Sequence, residues 1–226
     1  MHALSLRLTV VAGLLAFIGL VALQHPLRGD LPPGQHFISE YAKGSTAGVQ
    51  VLAFACWAIA LGAATALAAR APAPGRAIAR RITVAGLGLA AVGIAAAAAF
   101  ATQTIAGVMP SGVQRTTEGR LHDVATLAAF AGLVAAAAAS LRLVARRGYR
   151  LALGALTAVL LLTVPVLVAL GIDAPGVGQR IFILAGCAFV WRLAVELSGV
   201  SGTPRADTRR RARSAAPSVD ASTAGR

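Results

Sequence analysis

The chain has 226 residues, of which 57% are hydrophobic and only 13% charged, with a mean hydropathy of +0.74. That balance is too apolar for an ordinary soluble domain. The formal charge of +13 does not point to nucleic acid, because the basic residues flank apolar runs and form no base-reading motif. Cys56 and Cys187 each lie inside an apolar run, which indicates core packing and no disulfide or CxxC site.

About twenty apolar residues span a bilayer core, and the chain offers six such stretches. The first is 4–23, with a single Arg7 before it. A secretory signal peptide is the competing interpretation; the stretch is long for one, and VALQHP lacks a small-x-small cleavage site, so a retained helix is expected. The loop 24–45 follows, with helix-breaking Pro26, Pro32 and Pro33, and it closes on HFISEYA, which has helical character. The second span is 46–69, and the basic connector RAPAPGRAIARR leads to the third, 82–105. Gly86-x-x-x-Ala90 and Gly93-x-x-x-Ala97 in that span would let a neighbouring backbone approach closely.

The stretch TTEGRLHDVATLAAF opens the fourth span, 117–141. Thr116 or Thr117 suits the N-cap, and Glu118 in the first turn suits the helix dipole. A second basic connector, RLVARRGYR, precedes the fifth span, 151–171, where Pro165 frees a carbonyl and is expected to kink the helix. The sixth span is 178–199. Arg192 and Glu196, four apart near its end, are expected to pair or to snorkel. The Arg-, Ser- and Ala-rich tail, 201–226, is expected to be disordered.

The fold class expected from this pattern is an all-α bundle of six transmembrane helices occupying 1–200. Fifteen basic residues fall on the side of the two termini and five on the other, which predicts cytoplasmic termini in a plasma-membrane protein. His25, His36, Glu40, Tyr41, Glu118, His122, Asp123, Asp173 and Arg180 then gather at the opposite, outer end. His122 and Asp123 would sit roughly 8–9 Å along the fourth helix, just below the interface. Ionisable groups at that depth are costly enough to call for a function.

Four interpretations of this cluster stay open. His36, Glu40, His122 and Asp123 are hard or borderline ligands for a metal such as zinc, although no HExxH-like spacing joins them. His122 tuned by Glu118 or Asp123, with Ser39 nearby, suits metal-free acid–base catalysis. Arg180 and Arg120 paired with Glu40 and Asp123 would make a network that only locks helices together. Finally, Ser39, His36, Glu40, Tyr41, Glu118, His122, Asp123, Arg120 and Arg180 could recognise a lipid headgroup without chemistry.

HFISEYA, GRLHD and GQRIFILAGCAFVW, in this order, resemble the bacterial and archaeal membrane proteins grouped as domain of unknown function 998. The resemblance implies a six-helix bundle. It marks Ser39, Glu40, Tyr41, Gly119, His122, Asp123, Arg180 and Trp191 as the matching motif positions, and carries no agreed activity. A more distant similarity, to the alkaline ceramidase and adiponectin-receptor superfamily, would imply zinc-dependent lipid hydrolysis through Ser, His and Asp. The chain departs from that pattern in having six predicted spans instead of seven and no late pair of histidines. The expected function is therefore binding of a lipid or lipid-linked ligand as an accessory or transport-related protein, with a membrane hydrolase as the alternative. Membrane lipids are the expected partners, with a further membrane protein possible and the oligomeric state open.

Overall fold

Runs of Ala, Leu, Val and Ile with few breakers fold as helices because a helix satisfies its backbone N–H and C=O groups within one segment, without water. The computed structural model describes residues 2–144 and 146–200, and the basic tail lies outside them. It contains α1 (Ala3–Leu27), α2 (Ala47–Arg70), α3 (Ala77–Ala99), α4 (Thr117–Ser140), α5 (Arg147–Ala169) and α6 (Pro175–Val200). One 3-10 turn, Ile38–Ala42, lies between α1 and α2. Five of the helices, α1 to α4 and α6, are long and apolar enough to cross a membrane. The fifth expected span falls on α5, a helix of 23 residues with Pro165 inside it.

Several sequence-based boundaries shift. The first helix runs through Pro26 to Leu27, where the proline leaves only the Ala22 carbonyl without its i+4 N–H donor. HFISEYA does not join the second helix: its 3-10 turn stops at Ala42, and α2 starts afresh at Ala47. The third helix starts earlier than expected and ends at Ala99, so Gln103 and Thr104 belong to the following loop. The fourth begins at the expected place, with the Thr116 side chain accepting from Gly119 N at 3.1 Å.

Consecutive helices α1 to α4 pack in series, α6 lies against α1, α2, α4 and α5, and α5 rests on α6 and α4. Close approach of α3 and α4 depends on glycine. A Cβ on Gly86 would lie 2.5 Å from Gly132 O, and one on Gly93 would lie 2.5 Å from Ala125 O. The small-residue spacing predicted in the third span is therefore a helix interface. Its partner glycine, Gly132, lies on α4.

The two ends of the bundle differ in chemistry. At one end the basic connectors meet: Arg76 Nη1 donates to Leu143 O at 3.1 Å, and Arg146 lies 3.9 Å from the buried carboxylate of Glu196. Arg192 takes no part in that pair. Its guanidinium lies over the Tyr149 ring, 4.5 Å from the centroid, so the expected Arg192–Glu196 pair is replaced by two others. At the other end three connections interlock. Gln35 Nε2 donates to Asp173 O at 3.1 Å, Gln179 Oε1 accepts from Ile38 N at 2.8 Å, and Lys43 Nζ donates to Thr104 O at 2.9 Å.

Candidate functional site

At this second end the sequence-predicted polar residues separate into two groups. The first is a knot built around Glu40, which is buried on the 3-10 turn. Its Oε2 takes Ala106 N at 2.9 Å and His36 Nδ1 at 2.6 Å. Its Oε1 takes Gly107 N at 3.0 Å and the Thr104 hydroxyl at 3.4 Å. A carboxylate has about four lone-pair sites, so this one is fully used.

The loop that receives Glu40 is shaped for it. Ala106 and Gly107 have φ values of 50° and 77°, and Ile105 and Val108 pair across them by two backbone hydrogen bonds of 2.9 and 3.0 Å. Two left-handed residues in a tight turn point successive N–H groups to one side, a concavity suited to an anion. Here the protein's own carboxylate fills it.

Arg180 and Tyr41 complete the knot. Arg180 Nη1 donates to His36 O at 2.7 Å and Gly176 O at 3.0 Å, and Nη2 donates to the Tyr41 hydroxyl at 3.0 Å. Tyr41 in turn donates to Leu31 O at 3.0 Å. Burial pushes the Tyr41 phenol above its ordinary pKa, with Arg180 opposing the shift. Burial also pulls the Lys43 ammonium down, against the attraction of Glu40.

The second group lines a cavity of about 690 Å³ bounded by α4, the α5–α6 turn, the start of α6 and the loops above them. Ser39, Thr102, Arg115, His122, Asp123 and Asp173 contribute polar groups to its lining. Leu127, Phe130, Leu167 and Phe182 contribute apolar ones, and on α4 and α6 these lie further along the helix than His122, Asp123 and Gln179. Leu127 lines the cavity and is also 71% exposed, so this apolar part opens to the outside of the bundle. Phe130 and Phe182 pack at a centroid distance of 4.7 Å and form part of the apolar lining.

His122 is buried, and its Nδ1 donates to Phe100 O at 2.8 Å. A carbonyl only accepts, so this bond assigns the Nδ1–H tautomer to the neutral ring and leaves the lone pair on Nε2. Asp123 does not orient this imidazole. Its Oδ2 lies 3.0 Å from Arg115 Nη2, with both side chains more than a third exposed.

The other expected site residues lie elsewhere. Glu118 accepts from Ala101 N at 3.1 Å and holds the loop to the start of α4, Arg120 is exposed and does not line the cavity, and Trp191 is exposed. Gly119 is buried against the Gln103 side chain, which a Cβ there would strike.

Three corrections follow. The network imagined between Arg180, Arg120, Glu40 and Asp123 does not form: Glu40 pairs with His36, Asp123 with Arg115, and Arg180 with carbonyls and Tyr41. Neither Glu118 nor Asp123 bonds the His122 ring, which is held instead by the Phe100 carbonyl. The metal set His36, Glu40, His122 and Asp123 does not fit an ion, since no three His, Cys, Asp or Glu side chains converge on one among the described residues. Glu40 has no lone pair to spare, and His36 is turned onto it. Sequence reasoning missed Ala106–Gly107 and Thr102 as parts of the site, and it placed Asp173 in the outer cluster and Arg115 near a carboxylate without naming either as a ligand group. The only local signal was the Ala-Gly pair between two β-branched or aliphatic residues, Ile105 and Val108.

Long apolar helices around a partly polar cavity define a multi-helix integral membrane protein. Residues 10–196 match the family described as protein of unknown function (DUF998), and the chain belongs to that family. No curated protein and no solved structure matches it.

Proposed function

We propose that the protein binds a lipid or lipid-linked molecule in the cavity beside α4, as an accessory or transport-related membrane protein. The observation that carries this reading is that one 690 Å³ space is lined by Ser39, His122 and Asp123 and, further along α4 and α6, by Leu127, Phe130 and Phe182. Pockets for small molecules are mostly apolar with a few placed polar groups. An apolar part that also opens outward suits a ligand whose chains stay in the bilayer. Ser39, His122 and Asp123 face the headgroup; Leu127, Phe130 and Phe182 face the chains. Glu40, Tyr41, His36 and Arg180 hold the roof in place.

In this proposal all six helices cross the plasma membrane, α5 included. The excess of arginine on the connector end favours cytoplasmic termini, which turns the cavity to the outer leaflet. A membrane hydrolase is the second reading. It is favoured by one feature: the Nδ1–H···O bond to Phe100 leaves Nε2 of His122 unbonded while Ser39 lines the same cavity.

The test is native mass spectrometry of detergent-purified protein beside Thr126→Trp, which fills the cavity from α4. Retained lipid in the parent and its loss in a folded Thr126→Trp variant is the expected result. No lipid in either, or equal lipid in both, rejects the reading. Turnover of a lipid that stops in His122→Ala while binding persists would move the hydrolase to first place.

A further inference from the structure

The charges that line the cavity narrow the headgroup. Among its described lining residues there is one arginine, Arg115, and there are two carboxylates, Asp123 and Asp173. Arg115 and Asp123 pair with each other at 3.0 Å and largely cancel. Asp173 is then the surplus charge. Its backbone carbonyl takes the Gln35 amide, so it sits on a fixed turn while its carboxylate stays exposed beside the cavity. A headgroup carrying only negative charge would meet two carboxylates against one arginine. A headgroup carrying both signs meets a complementary set.

We infer that the cavity selects a lipid whose phosphodiester bears a primary ammonium, as in a phosphoethanolamine headgroup. This rests on the lipid-binding reading above. The guanidinium of Arg115 has five N–H donors, of which the Asp123 contact takes only part, and Ser39 adds a hydroxyl to the lining of the same cavity. Together they receive the phosphate oxygens. Asp173 and the outer oxygen of Asp123 receive the ammonium, whose N–H bonds to a carboxylate are stronger than neutral ones. A quaternary amine has no N–H to give, so choline is disfavoured against ethanolamine. The aromatic pair Phe130–Phe182 does not change this, because Phe130 lies two turns along α4 from Asp123, roughly 10 Å at 1.5 Å per residue.

The experiment titrates full-length protein in nanodiscs of neutral host lipid with phosphatidylethanolamine, phosphatidylcholine and phosphatidylglycerol of matched chains. Asp173→Asn and Thr126→Trp are run alongside. Phosphatidylethanolamine should bind roughly five- to ten-fold tighter than either other lipid, and Asp173→Asn should remove most of that margin. Deacylated glycerophosphoethanolamine should compete only weakly, since it lacks the chains that the apolar lining holds. Equal or tighter binding of phosphatidylglycerol or phosphatidylcholine overturns the inference, as does a preference unchanged in Asp173→Asn. Strong competition by the deacylated headgroup would overturn the lipid as source in favour of a soluble phosphoamine. If Thr126→Trp leaves binding of all three lipids intact, the cavity itself is wrong. If it abolishes binding while Asp173→Asn leaves selectivity unchanged, only the headgroup assignment fails.

Discussion

Glu40 and Asp123 are both carboxylates at the same end of the bundle, and both belong to short motifs with a neighbouring histidine. The structure gives them opposite surroundings. Glu40 is buried and holds four donors, two of them backbone N–H groups of a left-handed turn. Asp123 is 36% exposed at its side chain and makes one ion pair on a cavity wall. The contrast separates a fastening group from one with hydrogen-bond capacity left over. A group whose lone pairs are all taken by its own fold has nothing left to offer a ligand, whereas a partly satisfied one does.

The largest effect should come from breaking the knot. Glu40→Ala strands the N–H groups of Ala106 and Gly107 and removes the partner of His36. We expect a loss of about 3–5 kcal/mol of stability, read as a large drop in the melting temperature in detergent. Binding would fall only because the roof over the cavity loosens. A Glu40→Ala protein that melts like the parent yet binds no lipid would erase the distinction between the two regions.

Arg180→Lys is the next step down. Lysine carries its three donors on one nitrogen and lacks the planar fork by which Nη1 reaches the His36 and Gly176 carbonyls while Nη2 reaches Tyr41. A cost of about 2 kcal/mol is expected, with headgroup selectivity unchanged. Thermal melting and the lipid titration, run on one preparation, separate these outcomes. Changed selectivity would move Arg180 from the knot to the ligand.

The sequence made the helices legible because apolar length and the absence of charge are local properties. The N-cap at Thr116 and the glycine interface on α3 were legible for the same reason. The division of the polar residues was not. Whether Glu40 meets Arg180 or a turn 66 residues further on depends on how three connections fold over one another, and no spacing encodes that. Ala106 was invisible as an anchor because what it contributes is a backbone N–H in a left-handed conformation, not a side chain. Gln24 and Gln50 were missed too; both are fully buried, and Gln24 ties α1 to Thr46 O at 3.1 Å. A glutamine among alanines carries no sign of which helix face it takes.

His122 lies on the boundary between the regions, and its substitution should show an intermediate stability effect. His122→Ala removes one hydrogen bond to Phe100 O from a buried position. A loss of about 1–2 kcal/mol is expected, together with weaker lipid retention. A drop as large as that for Glu40→Ala would mean that the imidazole is chiefly a fastener for the Phe100 loop.

The smallest change in stability should come from Asp123→Asn, and that makes it the sharpest probe. Exposed ion pairs contribute about 0.2–1 kcal/mol, and the Arg115 and Asp123 side chains are 45% and 36% exposed. Melting should therefore hardly move. Lipid binding should move, because the substitution frees Arg115 from its partner and turns the lining from a surplus of carboxylate to charge balance. Phosphatidylglycerol should gain on phosphatidylethanolamine, in the same direction as for Asp173→Asn. A stable Asp123→Asn protein with unaltered lipid preference would place Asp123 with the solvated surface of α4, and would leave Ser39 and His122 as the polar part of the cavity.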